Sequence, residues 1–143
     1  MRAKVTSGSY AQGAGDLIYI KPLVIGRLYT NPFKSPKREF PVDMGYGSRT
    51  RTVVDLVLPE GFEVKESPVD KLARIGMSDA WFTQKTVVDG RHVRVEADLD
   101  IERIEYPPAM YQQLKTFYEH MTAWQSEQIV LQRKVTSPAR GKK

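Results

Sequence analysis

Residues 82–102 read FTQKTVVDGRHVRVEADLDIE. Asp89-Gly90 stands between two runs rich in β-branched residues, and this pair suits a two-residue type I′ turn, where both central residues take positive φ. A turn there sets Val88 opposite Arg91, Thr86 opposite Val93 and Phe82 opposite Ala97. With the two-residue side-chain period of a strand, Phe82, Val93, Val95, Ala97, Leu99 and Ile101 then share a buried face. His92, Arg94, Glu96, Asp98, Asp100 and Glu102 face water. The stretch predicts an antiparallel hairpin with one dry side.

The cover for that side lies downstream. Pro107 and Pro108 suit a first helical turn, where a missing N–H costs nothing. Met110, Leu114, Phe117, Met121 and Trp124 follow at spacings of 4, 3, 4 and 3, an apolar stripe that predicts a helix over about residues 108–125 lying on a sheet. Ile129-Val130-Leu131 reads as a last strand. Upstream, Arg51 to Leu58 alternates, with Thr52, Val54, Leu56 and Leu58 on one face and Val53, Asp55 and Val57 on the other. Pro59-Glu60-Gly61 turns the chain into a short strand carrying Phe62 and Val64, which Pro68 ends. From Val69 to Asp79, Leu72, Ile75 and Met77 can reach the core without a clear period. Leu17 to Ile25 predicts an edge or kinked strand because Pro22 cannot donate to a central ladder, and Gly26 allows a turn after it. Tyr29 to Gly47 carries Pro32, Pro36, Pro41, Gly45 and Gly47, a density of breakers that predicts a long irregular loop hugging the surface, pinned by Phe33, Phe40, Val42 and Tyr46.

Together these elements predict a mostly β domain over residues 17–135, an immunoglobulin-like β-sandwich of about seven strands with one amphipathic helix near the C-terminus. Residues 1–16 read as a flexible lead-in and residues 136–143 as a basic tail.

Charge and composition exclude several classes. The chain has 143 residues, 22 of them basic and 17 acidic, for a net charge of +5. Five of the basic residues, Arg133, Lys134, Arg140, Lys142 and Lys143, follow residue 132 with no acid among them. Setting them aside leaves 17 basic residues against 17 acidic ones, so a duplex-binding surface is not predicted. The absence of cysteine excludes thiol nucleophiles, disulfides and Cys-ligated metal centres in this chain. No run approaches the roughly 18–20 apolar residues of a membrane span, and residues 1–16 lack the apolar core of a signal peptide.

Four carboxylates at Glu96, Asp98, Asp100 and Glu102 are of the oxygen-ligand type that calcium takes, but carboxylates about 7 Å apart along a straight strand diverge from a single ion. They read as a solvated face near Arg94 and Lys85. His92 and His120 lack the acidic or hydroxyl company of a catalytic set and the spacing of a zinc site. Gly13-Ala14-Gly15 and Gly45-Tyr46-Gly47 are not followed by a Lys-Ser/Thr pair and read as turn glycines. No catalytic, cofactor-binding or metal-binding residue is therefore predicted. The candidates for an interaction surface are the loop aromatics Phe33, Phe40 and Tyr46, with Tyr29 nearby in the sequence.

Several of these pieces occur in one order: Asn31-Pro32-Phe33, then Phe40-Pro41-Val42-Asp43, then Val57-Leu58-Pro59-Glu60-Gly61-Phe62-Glu63-Val64, then Tyr111-Gln112-Gln113-Leu114-Lys115-Thr116-Phe117-Tyr118, and Gln128-Ile129-Val130-Leu131. This series, over roughly residues 17–135, resembles the C-terminal domain of unknown function that follows a transglutaminase-like domain in large bacterial cell-envelope proteins. The resemblance implies a non-catalytic accessory or interaction domain, since the papain-like Cys, His and Asp have no matching positions here. It implies the upstream transglutaminase-like domain of the same polypeptide as partner and a periplasmic or cell-envelope location. It also makes Met1 look like the start of a fragment whose export signal lies upstream. The alternative is a cell-surface module that binds a glycan or an extended peptide, for instance by strand addition at an open sheet edge. A free-standing hydrolase using His92 or His120 is a third reading.

Overall fold

The computed structural model describes residues 11–24 and 27–135. In chain order the elements are β1 (Ala11–Ala14), β2 (Leu17–Ile20), β3 (Val42–Asp43), β4 (Ser48–Val57), β5 (Phe62–Glu66), β6 (Lys71–Ile75), β7 (Ala80–Asp89), β8 (His92–Ile101), β9 (Glu105–Tyr106), a 3-10 turn (Pro108–Met110), α1 (Tyr111–Gln125) and β10 (Ile129–Arg133). They form a four-stranded sheet β4-β8-β7-β6, a second four-stranded sheet β1-β2-β10-β5 and the small pair β3-β9. All pairings are antiparallel. The fold is mostly β with one helix near the C-terminus. Among the described residues no helix is long and apolar enough to cross a membrane.

The hairpin forms, but its register differs from the expected one. Asp89 pairs with His92, Thr86 with Val95 and Phe82 with Leu99, so the two turn residues are Gly90 and Arg91. Gly90 has φ +58 and no described non-glycine residue has positive φ. Positive φ at the first central residue alone is the type II′ pattern, whereas type I′ requires it at both. Arg91 is held in the turn from outside: its Nε and Nη2 donate to the Leu58 carbonyl at 3.0 and 2.8 Å, and Leu58 N donates to the Arg91 carbonyl at 2.7 Å. Because the partner of each residue shifts by two positions, every side chain keeps its face. Phe82, Val93, Val95, Ala97 and Ile101 are buried as expected, and Leu99 is half-buried. Asp100, expected to face water, is buried.

The helix packs alongside β6 and buries Tyr111, Leu114, Phe117, Tyr118, Met121 and Gln125. The stripe is wider than its predicted members, of which Met110 and Trp124 are only half-buried. Trp124 stacks on Phe82 with ring centroids 6.3 Å apart. Ile20, Ile129 and Leu131 of the second sheet join the hairpin and helix residues in a single core.

Several boundaries differ from the sequence reading. The strand expected over Leu17 to Ile25 stops at Ile20, before Pro22, and lies between β1 and β10 rather than at an edge. Pro22 and Leu23 are buried after the strand has ended. Part of the expected lead-in, Ala11–Ala14, pairs with β2. The other lead-in residues before it (1–10), the turn at Gly26 and the basic tail at 136–143 lie outside the described residues. The expected count of about seven strands becomes ten among the described residues, the additions being the short β1, β3 and β9. Leu72 and Met77 are exposed while Ala73 and Ile75 are buried, because β6 has strand parity over only five residues.

The β6–β7 connection yields a stability prediction. Gly76 has φ +59, and a Cβ there would lie 2.8 Å from Asp79 Oδ2. That carboxylate pairs with Arg103 at 3.5 Å, and the Asp79 carbonyl accepts from Glu102 N and Arg103 N, both at 2.9 Å. Gly76→Ala should destabilise the domain by about 1–2 kcal/mol, from left-handed backbone strain and displacement of Asp79. Urea unfolding measures it; an unchanged midpoint would show that the turn relaxes freely.

Candidate functional site

The long proline-bearing loop is a strap over α1. Proline lacks an N–H but keeps its carbonyl, and helix side chains donate to the carbonyls of this segment. Tyr111 Oη and Lys115 Nζ reach the Ser35 carbonyl at 2.8 and 3.3 Å, and the Gln112 amide donates to the Pro36 carbonyl. Asn31 works in both directions, its Nδ2 donating to the Lys115 carbonyl at 2.9 Å and its Oδ1 accepting from Phe33 N at 2.9 Å. The strap's beginning is held by Gln125, whose Oε1 accepts from Leu28 N at 3.1 Å.

These contacts divide the three candidate aromatics. Phe33 is half-buried, edge-on to Tyr118 at 5.0 Å and to Tyr111 at 6.1 Å between ring centroids. It fastens the strap to the helix. Phe40 and Tyr46 are each 75% exposed. They flank a rigid anchor, because Val42 is buried and pairs with Tyr106 in the β3-β9 pair. Before Tyr46, the Asp43 carboxylate accepts from Gly45 N at 2.7 Å, and Gly45 takes φ +78. The expectation that Phe40 and Tyr46 pin the loop to the core is therefore corrected: Val42 and Phe33 do so, leaving two aromatic rings in water.

The carboxylates of β8 are matched by arginines. Arg49 on β4 pairs with buried Asp100 and lies 4.0 Å from Glu102. Arg51 lies 3.2 Å from Glu96 and 3.8 Å from Asp98; Arg94 lies 2.8 Å from Glu96 and 3.3 Å from Asp55. The hydrogen bond from Arg94 holds the Glu96 carboxyl below its ordinary range, and the bond to Asp100 raises the Arg49 guanidinium. Each of the three arginines is thus engaged by carboxylates, which outnumber them five to three in the ladder. Among the described residues no group of three His, Cys, Asp or Glu side chains is placed to hold a metal ion. His92 is exposed at the hairpin turn, and His120 stacks on Trp124 at 5.2 Å.

Two spaces border the helix. Beneath it, a cavity of about 30 Å³ touches Thr50, Thr52, Phe82, Met121 and Gln125. Beside it, an open cleft of about 530 Å³ runs between β6 and α1, lined by Ala73, Arg74, Gln113, Thr116, Phe117 and His120. Sequence reading missed this cleft. Its strand lay in the segment without a visible period, and its helical wall lies beside the apolar stripe that drew attention.

A family model for a domain of unknown function with a solved structure, DUF3858, matches residues 16–131. No curated protein sequence matches the chain. Among solved structures, a "putative protease" from Parabacteroides distasonis is similar with a TM-score of 0.58 at 14% identity, over 69% of this chain. The match spans 19% of the length of that protein. At this identity the likeness concerns the fold.

Proposed function

This chain belongs to the DUF3858 family, and we propose that it is a non-catalytic accessory or interaction domain of a larger transglutaminase-like, papain-like bacterial protein. The observation that carries the reading is the pair of exposed aromatic rings, Phe40 and Tyr46, on loops anchored by the buried Val42 and Tyr106. Exposed apolar rings on a rigid base are what a docking surface requires. The appearance of a similar fold as a fraction of a longer chain is consistent with a module. In this reading the two four-stranded sheets form an immunoglobulin-like sandwich, the partner is the upstream transglutaminase-like domain, and the parent protein resides in the periplasm or cell envelope.

The test is substitution of Phe40. Because its ring is 75% exposed, Phe40→Asp should leave the thermal midpoint within about 2 °C of the unmodified protein, as surface changes do. It should weaken association with the transglutaminase-like domain of the parent by at least about tenfold, the loss typical of a contact residue. Titration of the two domains against each other reads the second quantity. Unchanged association for both Phe40→Asp and Tyr46→Asp would remove this surface from the docking role. Blotting of source-cell fractions checks the setting: a band far larger than this chain in the envelope fraction is expected, and a soluble band of this chain's size overturns the accessory reading.

A further inference from the structure

We propose that the cleft between β6 and α1 binds an extended, carboxylate-bearing peptide of a separate polypeptide, added to the sheet as a strand beyond β6. This goes beyond the docking role above and uses other elements of the fold. Among the described residues, in the sheet order β4-β8-β7-β6, β6 is an edge strand paired only with β7. One side of its backbone is therefore unpaired along Lys71–Ile75, a template for another extended chain. Edge strands are commonly blocked by proline, a bulge or a lysine pointed along the edge. Here β6 contains no proline and pairs with β7 without a register break. Its Lys71 is drawn to Glu127 at 3.2 Å.

The helix supplies the second wall. Ala73 and the buried Phe117 make an apolar floor, while Gln113, Thr116 and His120 on the exposed side of α1 offer hydrogen-bonding groups. Five strand residues at about 3.3 Å each give a track of about 17 Å, enough for five or six peptide residues.

Charge selects the occupant. Arg74 is the only formally charged residue in the cleft lining, is exposed, and has no carboxylate within ion-pair distance among the described residues. On the opposite edge strand, Arg49 and Arg51 are already matched by carboxylates of β8. A second copy of the chain is disfavoured, since antiparallel β6-to-β6 pairing would bring the Arg74 cations of both copies onto one short ladder whose residues include no carboxylate. An Asp or Glu on the incoming strand meets Arg74 instead, and its neighbours of opposite parity can meet the floor.

The experiment uses the full chain and a random octapeptide library with one central position fixed as Glu or as Lys. Selected peptides are then synthesised with and without backbone N-methylation and titrated against the isotope-labelled protein. The Glu set is expected to yield binders that shift amides of residues 71–75 and 112–120, bind at least about tenfold tighter than their Lys counterparts, and lose binding on N-methylation. Thr116→Trp, at an exposed position, should fill the cleft and abolish binding with the fold intact. Arg74→Glu should reverse the preference to Lys. Failure to select Glu peptides, binding that survives both N-methylation and Thr116→Trp, or concentration-dependent shifts of β6 without peptide would each overturn the proposal, the last by showing a second copy on the edge.

Discussion

Phe82→Ala should destabilise the domain by about 3–5 kcal/mol and lower its thermal midpoint by about 10–20 °C. Phe82 is 1% exposed, lies on the central hairpin, stacks on Trp124 and borders the small cavity beneath Met121. Deleting the ring removes the transfer free energy of its buried surface. It also joins the new void to an existing one between strand and helix, which rigid neighbours can close only in part. Leu72→Ala is the control. Leu72 is 59% exposed on the neighbouring strand, so its truncation should stay within about 0.5 kcal/mol. Urea or thermal unfolding of the two variants gives the comparison, and a Phe82→Ala loss below about 1.5 kcal/mol would mean that helix and sheet are not packed through this ring.

Alkaline pH should expose a second buried ring. Tyr106 is fully buried, its hydroxyl donates to the Asp79 carbonyl at 3.4 Å, and its pKa is pushed up from 10 to about 12 by burial first and the Asp79 charge second. The folded state therefore holds this proton more tightly than the unfolded chain does. Below pH 10 both states are protonated and the group contributes no pH dependence. Between about pH 10 and pH 12 the unfolded chain ionises first, and stability falls by roughly 2–3 kcal/mol across the window. Burial raises the Tyr118 pKa as well, so the measurement is the difference between the unmodified protein and Tyr106→Phe. The variant should lose a small constant amount at neutral pH and show a shallower decline above pH 10. Parallel declines would show that Tyr106 ionises in the folded state as easily as in the unfolded one.

The candidate site was legible in part. Loop aromatics could be picked from the sequence because phenylalanine and tyrosine among prolines and glycines are conspicuous. Their separation into Phe33, which packs, and Phe40 and Tyr46, which do not, was not legible. It depends on Tyr111 and Tyr118, 78 and 85 residues further along the chain, coming to rest against Phe33. The cleft beside β6 was less legible still. A five-residue strand offers too few alternations to show a period, and an edge is defined by which strand is missing next to it. Asp100 illustrates the same limit: its alternation places it on the outer face, yet partnership with Arg49 across the sheet lets that position be buried.

Local periodicity determined the hairpin strands, the β4 alternation and the helix, because side-chain spacing of two or of three and four residues is written in consecutive positions, and a run of three apolar residues marked the last strand. It also determined which faces turn inward, and this survived a two-residue change in hairpin pairing because parity survived. Tertiary structure decided the rest. The turn lies at Gly90-Arg91 because the Leu58 carbonyl holds Arg91, the proline-bearing loop straps the helix because its carbonyls meet Tyr111, Gln112 and Lys115, and β6 is an edge because no strand among the described residues follows it in the sheet. Each of these depends on contacts between residues distant in the chain, which periodicity along the chain does not encode.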